Sequence, residues 1–535
     1  MDISLGTYLN DVARALDDLE QRDVVRSIWQ KDHRVWKPDP TEIANRLGWL
    51  TVTELMHEQL PALESFAGEV RDAGFRHVVL LGMGGSSLGP EVLRATFGSA
   101  PSYPELIVLD STLPGYVQSI AKTIDPAHTL FLVSSKSGTT VETLSLFHYF
   151  QTLVASAVGE EKAGENFVAI TDSGTPLARM AEETGFRRLF LNPADIGGRY
   201  SVLSYFGLVP AALTGVNITS LINSADSMRE QCRPDAAAPK NPAALLGAVI
   251  GTMALQGRDK LTLVTSPSIN SFGLWLEQLI AESTGKEGKG IVPVVGEPTM
   301  EPDFYGDDRL FIYLRLRNED ESATNEAIKR IETSGQPVLI LEMQDIYDLG
   351  GEFFRWEFAT AIAGALLTIN PFNQPNVNAA KQATEQVLQE FLSSGHLPQA
   401  EVMHSLADLL TKVNKGDYLA ILAYVRQTTE VDDILAGLRR EVSGRYHIAT
   451  MLGYGPRYLH STGQLHKGGP ATGLFLVITA EHGNDILIPG QPYSFGTLVD
   501  AQAIGDLKAL QMSGQRVAGI HSASEKAVLP EAFLL

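Results

Sequence analysis

The chain has 535 residues, 44% hydrophobic and 20% charged, with 48 glycines and 27 prolines, a composition that excludes a low-complexity or disordered chain and suggests about three to four folding units. Its 42 Lys and Arg against 63 Asp and Glu leave a net charge of −21. This argues against general nucleic-acid binding and against docking on an anionic membrane, so a site for an anionic substrate has to be a local exception built from backbone amides and selected cations. One cysteine, Cys232, excludes an intrachain disulfide framework and a thiolate-rich metal cluster. Without an apolar run of about 18–20 residues, and with an acidic amphipathic start in place of a basic or cleavable leader, the expectation is a soluble cytoplasmic protein.

In chain order, residues 1–74 read as a helical arm broken by the polar stretch Lys31 to Pro40. From His77 the rhythm changes to short apolar runs ending in small residues (HVVLLGMGG, TLFLVSSKSGTT, NFVAITDSGTP), with helical patterns from Leu88 to Phe97 and from about Val141 to Val154. Continuous apolar strands alternating with helices indicate a parallel sheet covered on both faces. The scheme restarts near residue 245 with LTLVTSPS, GIVPVVGEP, LFIYLRL and PVLILEM, and helices at about 272–283, 355–367 and 377–393. After a helical stretch from Ala400 to Lys415 come DYLAILAYV, GRYHIATML and GLFLVITAE. The expected organisation is α/β: an arm over 1–74, doubly wound units over 75–240 and 241–394, and a smaller α/β segment over 395–535 packed on the second unit.

Ligands of doubly wound sheets bind at the carboxyl ends of strands, where loops enter helices. Two loops of the first unit have that position. Gly82-Met83-Gly84-Gly85-Ser86-Ser87 lacks the third glycine of a dinucleotide fingerprint, and offers close backbone approach and a hydroxyl at Gly85 and Ser86. Ser134-Ser135-Lys136-Ser137-Gly138-Thr139-Thr140 carries more hydroxyls than an N-cap requires; at a helix N-terminus it suits a phosphate monoester. In Gly197-Gly198-Arg199-Tyr200-Ser201 the guanidinium suits an oxyanion, or a surface salt bridge. Gln278 and Glu282 share one helix face, and Glu282 stands in the last turn, where the dipole disfavours an anion, as a base would require; an ordinary solvated glutamate is the plain alternative. Asn373-Gln374-Pro375-Asn376 opens a helix carrying Lys381, and His460 and His466 flank a glycine-rich loop without a carboxylate or cysteine to complete a metal set.

Taken in order, Gly-Gly-Ser, Ser-Lys-Ser-Gly-Thr-Thr-x-Glu-Thr, Gly-Gly-Arg-Tyr-Ser, Gln-x-x-x-Glu-Ser-x-Gly-Lys and Phe-Asn-Gln…Lys resemble the motifs of glucose-6-phosphate isomerase. The segments Lys37-Pro38-Asp39, Asn45 to Trp49 and Gly455 to Pro470 are closest to the isomerase half of bifunctional transaldolase–phosphoglucose isomerases, although no transaldolase barrel pattern is present. The resemblance implies two sugar-isomerase (SIS) subdomains, a homodimer with sites near the subunit interface, a sugar-phosphate substrate, and neither cofactor nor metal. It implies that Ser135, Ser137 and Thr140, with the Lys136 backbone, hold the phosphate. Gly85, Ser86 and Gln278 would line the sugar, Arg199 would stabilise the enediolate, Glu282 would move the proton between C2 and C1, and Lys381 would assist ring opening. Three departures stand out. Tyr205-Phe206 replace small residues, Asn376 and Asn378 replace a glycine and a glutamate, and residues 283–370 lack the histidine that opens the ring. Thr-Gly-Gln-Leu-His466 resembles a displaced Gly-Gln-His element, which assigns that role to His466, with His460 second. The same fold could instead serve a phosphomannose or dual-specificity isomerase, or a sugar-phosphate sensor; a sensor has no need of Glu282 and Lys381.

Overall fold

The computed structural model describes residues 1–398, 403 and 405–524. The expected segment 395–535 therefore extends over residues 399–402, 404 and 525–535 that lie outside the described residues, as does part of the expected helix Ala400–Lys415, within which a helix runs Leu406–Leu410.

The arm contains a strand that its sequence does not announce, β1 (Asp2–Ser4), ahead of helices Leu9–Gln21, Val24–Trp29 and Val52–Asp72. The first unit follows with β2 (His77–Gly82), β3 (Glu105–Leu109), β4 (Thr129–Ser134), β5 (Phe167–Asp172) and β6 (Arg188–Asn192), ordered β3-β2-β4-β5-β6. These strands pair in parallel, and β2 and β4 are wholly or almost wholly buried, which is why their sequences are continuous apolar runs rather than alternating ones. The chain reverses winding direction between β2 and β4, and Gly82 lies opposite Ser134 at their carboxyl ends. The loops Met83–Ser87 and Ser135–Thr140 thus leave the sheet side by side at the switch point.

The second sheet holds β7 (Lys260–Thr265), β8 (Val292–Val294), β9 (Arg309–Leu316) and β10 (Val338–Met343), ordered β1-β10-β9-β7-β8. Here β1 runs antiparallel to β10, with Asp2 opposite Ile340. Pairing with a distant strand rather than local periodicity makes β1 extended, because a three-residue run has no repeat to read. The third sheet contains β11 (Tyr418–Ala423), β12 (Ala449–Tyr454), β13 (Gly473–Ala480) and β14 (Arg516–Ser522), ordered β12-β11-β13-β14 with parallel pairing.

One core runs continuously through the first two units. It joins Val78, Leu80 and Leu132 to Leu261 and Ile312 through the helix Leu349–Leu367, including Phe353 and Trp356. The third unit packs on both of the others, not on the second alone. Phe495 and Leu498 join the core of Phe131, Phe147 and Phe150 on the far face of the first sheet, while Ala281, Val292 and Val294 of the second unit pack with Tyr418 and Met451. A fully buried Phe or Leu contributes about 1.5–3 kcal/mol, so this docking is a structural interface rather than a loose contact.

Within the shared core, Glu357 is fully buried, and among the described residues neither carboxylate oxygen has a hydrogen-bond partner. Burial alone pushes its carboxyl well above the usual range, so it is held as the neutral acid at the low end of the pH scale. In the unfolded chain such a group ionises near about 4.3, and each pH unit above that costs the native state about 1.4 kcal/mol until the native value is passed. The native advantage of the protonated form is therefore complete below about pH 4 and lost as pH rises. Glu357→Gln is expected to match the parent in thermal unfolding near pH 4 and to exceed it increasingly towards pH 8; superimposable curves would contradict this account.

Candidate active site

Backbone crowding at the first switch-point loop organises the site. Gly84 has φ +57°, and a Cβ there would lie 2.6 Å from the His460 carbonyl oxygen and 3.1 Å from Gln278 Nε2. A Cβ on Gly85 would lie 2.0 Å from the Gly198 carbonyl oxygen. The glycines are thus where three distant segments meet: Gly198-Arg199, the helix Phe272–Thr284, and the turn Arg457–His460. Ser86 is buried beside them.

At the second loop, Thr140 occupies the N-cap position of helix Val141–Val158 but makes no side-chain cap bond. Its hydroxyl instead lies 2.9 Å from Ser135 Oγ, which also accepts from the Gly138 amide at 3.1 Å. Ser137 Oγ lies 3.0 Å from Thr139 Oγ1. The Lys136 ammonium is turned away, paired with Asp172 and donating to the Ala194 carbonyl at 3.0 Å. The loop therefore presents hydroxyls and the start of a helix, not a lysine head group.

Helix Phe272–Thr284 carries Gln278 and Glu282 on one buried face, and Gln278 Nε2 donates to Glu282 Oε2 at 3.0 Å. Arg199 is 2% exposed, which removes the surface-salt-bridge reading. Its Nη1 lies 3.1 Å from Glu282 Oε1 and donates to Gln374 Oε1 at 3.1 Å. Nε donates to Ser283 Oγ at 2.8 Å, and Nη2 to the Pro371 and Asn373 carbonyls at 2.7 and 3.0 Å. With every guanidinium nitrogen engaged, the cation is fixed beside the carboxylate, and its charge offsets the unfavourable helix-end position. Removing one partner of such a buried pair costs about 3–5 kcal/mol.

The two histidines have different surroundings. His466 packs against Phe475 and Tyr458 inside the third unit, and both of its ring nitrogens are buried without partners among the described residues. Burial, with the Lys467 charge, pushes it well below the usual imidazole range. The sequence assignment of ring opening to His466 is accordingly corrected: helix Gly463–Gly468 turns that side chain into an apolar core, and sequence spacing carries no information about the turn. His460 instead lies with Nε2 2.8 Å from Glu142 Oε1, and its carbonyl accepts from Gln278 Nε2 at 2.9 Å. Consecutive hydrogen bonds thus run from Glu142, in the first turn after the hydroxyl loop, through His460 and Gln278 to Glu282.

Thr140, Glu142, Lys381, His460 and Gln502 line a cleft of about 520 Å³, within the range of small-molecule sites. Lys381 is exposed, and among the described residues its ammonium has no ion-pair or hydrogen-bond partner. Gln278 and Glu282 do not line this cleft; they are tied to it by the hydrogen bond from Gln278 to the His460 carbonyl.

Read from sequence, Glu142 is only a first-turn acid, and nothing singles out Gln502. In the fold Glu142 is buried, and Gln502 Nε2 donates to it at 2.6 Å. Burial pushes its carboxyl up, but the His460 charge and hydrogen bond, with Lys381 nearby, outweigh this and hold it below the usual range. Gln502 leaves no sequence signal, being one helical glutamine among several. Among the described residues no group of three or more His, Cys, Asp or Glu is placed to hold a metal ion.

Residues 52–296 match the family model described as phosphoglucose isomerase. Glucose-6-phosphate isomerase of Staphylococcus saprophyticus is 29% identical over 407 residues, covering 68% of this chain and 90% of that protein. A protein of Methanococcus maripaludis named as a probable glucose-6-phosphate isomerase is 31% identical over 354 residues, covering 59% of this chain and 79% of that one. The fold is shared with the crystal structure of a hypothetical protein from Thermus thermophilus (TM-score 0.61, 24% identity, 72% of this chain and 99% of that one). It is also shared with a glucose-6-phosphate isomerase from Chlamydia trachomatis (TM-score 0.59, 20% identity, 72% and 86%). On motif order, fold and relatives together, the chain belongs to the glucose-6-phosphate isomerase family of aldose–ketose isomerases.

Proposed function

We propose that the protein interconverts glucose 6-phosphate and fructose 6-phosphate by ring opening followed by proton transfer through a cis-enediolate, with Glu282 as the base. The observation that carries this reading is the hydrogen-bonded run from Glu142 through His460 and Gln278 to Glu282, which joins an anion-binding loop to a carboxylate held against a fixed arginine.

The phosphoryl group sits on Ser135, Ser137, Thr140 and the Lys136 amide, at the positive end of helix Val141–Val158. This remote grip orients C1 and C2 without taking part in the chemistry. Gly85 and Ser86 border the sugar, and at Gly85 only a glycine leaves room for the Gly198 carbonyl. His460 exchanges a proton with O5: its Nε2–H donates to Glu142, which leaves Nδ1 facing the substrate and stabilises the imidazolium as it forms. The unpaired Lys381 ammonium serves O1. Glu282 then removes the C2 proton and returns it to C1, while the Arg199 guanidinium, already fixed by five acceptors, offsets the developing oxyanion. Electrons move only within the sugar, so the reaction as written needs no redox partner.

Deuterium at C2 of labelled glucose 6-phosphate is expected to divide between C1 of the product and solvent during turnover without added cofactor; complete transfer to C1, with none reaching solvent over many turnovers, would exclude the enediolate. Mannose 6-phosphate run in parallel separates a strict glucose enzyme from a dual-specificity one. Glu282→Gln is expected to lower kcat by about 10²–10⁴-fold while sugar-phosphate binding is largely kept, and an unaltered kcat removes Glu282 from the mechanism. Ser135→Ala combined with Thr140→Ala is expected to act mainly on KM, since it removes binding that is equal in ground and transition states; an unmoved KM would locate the phosphate elsewhere.

A further inference from the structure

Glu142 Oε1 accepts two hydrogen bonds, from His460 Nε2 at 2.8 Å and from Gln502 Nε2 at 2.6 Å. The first serves the proposed proton exchange at O5; the second has no place in it. Gln502 is buried, and its amide is oriented by Thr112, whose hydroxyl donates to Gln502 Oε1 at 3.2 Å. The amide oxygen is therefore turned to Thr112 and the nitrogen to Glu142. We infer that Gln502 is a positioning residue for ring opening: it fixes the Glu142 carboxylate in the orientation that commits Nε2 of His460 and leaves Nδ1 for the substrate. The inference rests on the isomerase reading given above, and specifically on His460 as the group that serves O5.

The helix that carries Gln502, Phe495–Met512, holds the histidine as well as its partner. Asp506 follows Gln502 by four residues and shares its face. It is fully buried and accepts from Tyr458 Oη at 2.7 Å, while its other oxygen forms an ion pair, without hydrogen-bond geometry, with the buried Lys467 ammonium. Tyr458 stands two residues before His460 in the turn Arg457–His460, and its hydroxyl also lies 2.9 Å from that of Tyr424. One rigid element thus sets the backbone that bears the imidazole, through Asp506, and the carboxylate that orients the imidazole, through Gln502. The chemistry of position 502 fits the same task. A buried carboxylate with one donor can turn about its terminal torsion, and a second donor on the same oxygen removes that freedom. An amide does so without adding charge, whereas a lysine or arginine there would oppose a proton on His460. The charged and titratable groups around Glu142 are His460 from the turn, Lys381 and Glu385 from helix Val377–Ser394, Tyr424 just past the end of β11 and, behind it, Asp506. Among these Gln502 is the neutral member.

The test compares pH profiles of glucose 6-phosphate isomerisation by the parent, Gln502→Leu and Thr112→Val. A donor to the ionised carboxylate favours ionisation, so its removal lets burial raise the Glu142 carboxyl, and the charge is lost sooner as pH falls. Gln502→Leu is therefore expected to move the acid limb of kcat/KM upward by about one to two pH units. On that limb kcat falls by about 10–100-fold, while KM changes little because the phosphate grip is untouched. Thr112→Val, which frees the amide to turn without removing it, is expected to shift the limb in the same direction by less, and it decides the question should Gln502→Leu fail to fold. In a Glu142→Gln background, adding Gln502→Leu is expected to cost no more than about twofold. A loss that is uniform across pH, a limb unmoved in both variants, or losses that multiply in the double variant would overturn the inference, since each is what a merely structural contact gives. Those outcomes leave isomerisation by the parent intact; a parent that does not isomerise the sugar defeats the functional reading and the inference with it.

Discussion

The close meeting of backbones at Gly84 and Gly85 is the constraint on which the rest of the site depends. Carbonyl oxygens of His460 and Gly198 stand where a methyl group would be, so the loop after β2 can be approached from two sides at once. The proposed chemistry is hung on those approaches. Arg199 follows Gly198 and is thereby delivered to Glu282, and the His460 carbonyl that crowds Gly84 is the acceptor that fixes Gln278. Side-chain bulk at Gly84 would push the first unit away from Gln278 of the second and His460 of the third, and at Gly85 away from the Gly198 segment of its own unit.

The electrostatics follow from a chain that is strongly acidic overall yet hosts an anionic substrate. The cations near the site are few, and most of them are committed. Arg199 is saturated by protein acceptors, Lys136 is paired with Asp172, and the buried Lys286 donates to the carbonyl and side chain of Asn373. Among the described residues, the ammonium of Lys381 stands open to the cleft. In the proposed mechanism phosphate recognition therefore falls to hydroxyls and helix amides, groups whose charge does not have to be balanced when the site is empty.

The two central sheets are readable because their strands are continuous apolar runs, and the hydroxyl-rich loop because its composition exceeds what a helix cap uses. The strands β3 and β6 escape notice, being short edge strands with partly exposed residues such as Glu105 and Arg188. β14 escapes for a related reason: RVAGIHS is only partly buried at the edge of its sheet. Sequence does not show that His466 is buried, because two candidates six residues apart sit on a turn and a short helix whose relative rotation depends on packing against Phe475, a contact no local pattern encodes. Gln502 and the full role of Glu142 are illegible for the same reason, since each acquires its meaning from a partner several hundred residues away.

The strand at Asp2–Ser4 has a consequence outside the chemistry. By pairing with β10 it occupies the ladder of amides and carbonyls that would otherwise line an open flank of the second sheet. An uncovered flank of that kind, backed by residues as apolar as Val338, Leu339 and Leu341, is a template on which another chain can add a strand. Three residues of the arm therefore act as a guard against intermolecular zippering, a protection supplied in a different sheet from the switch-point loops.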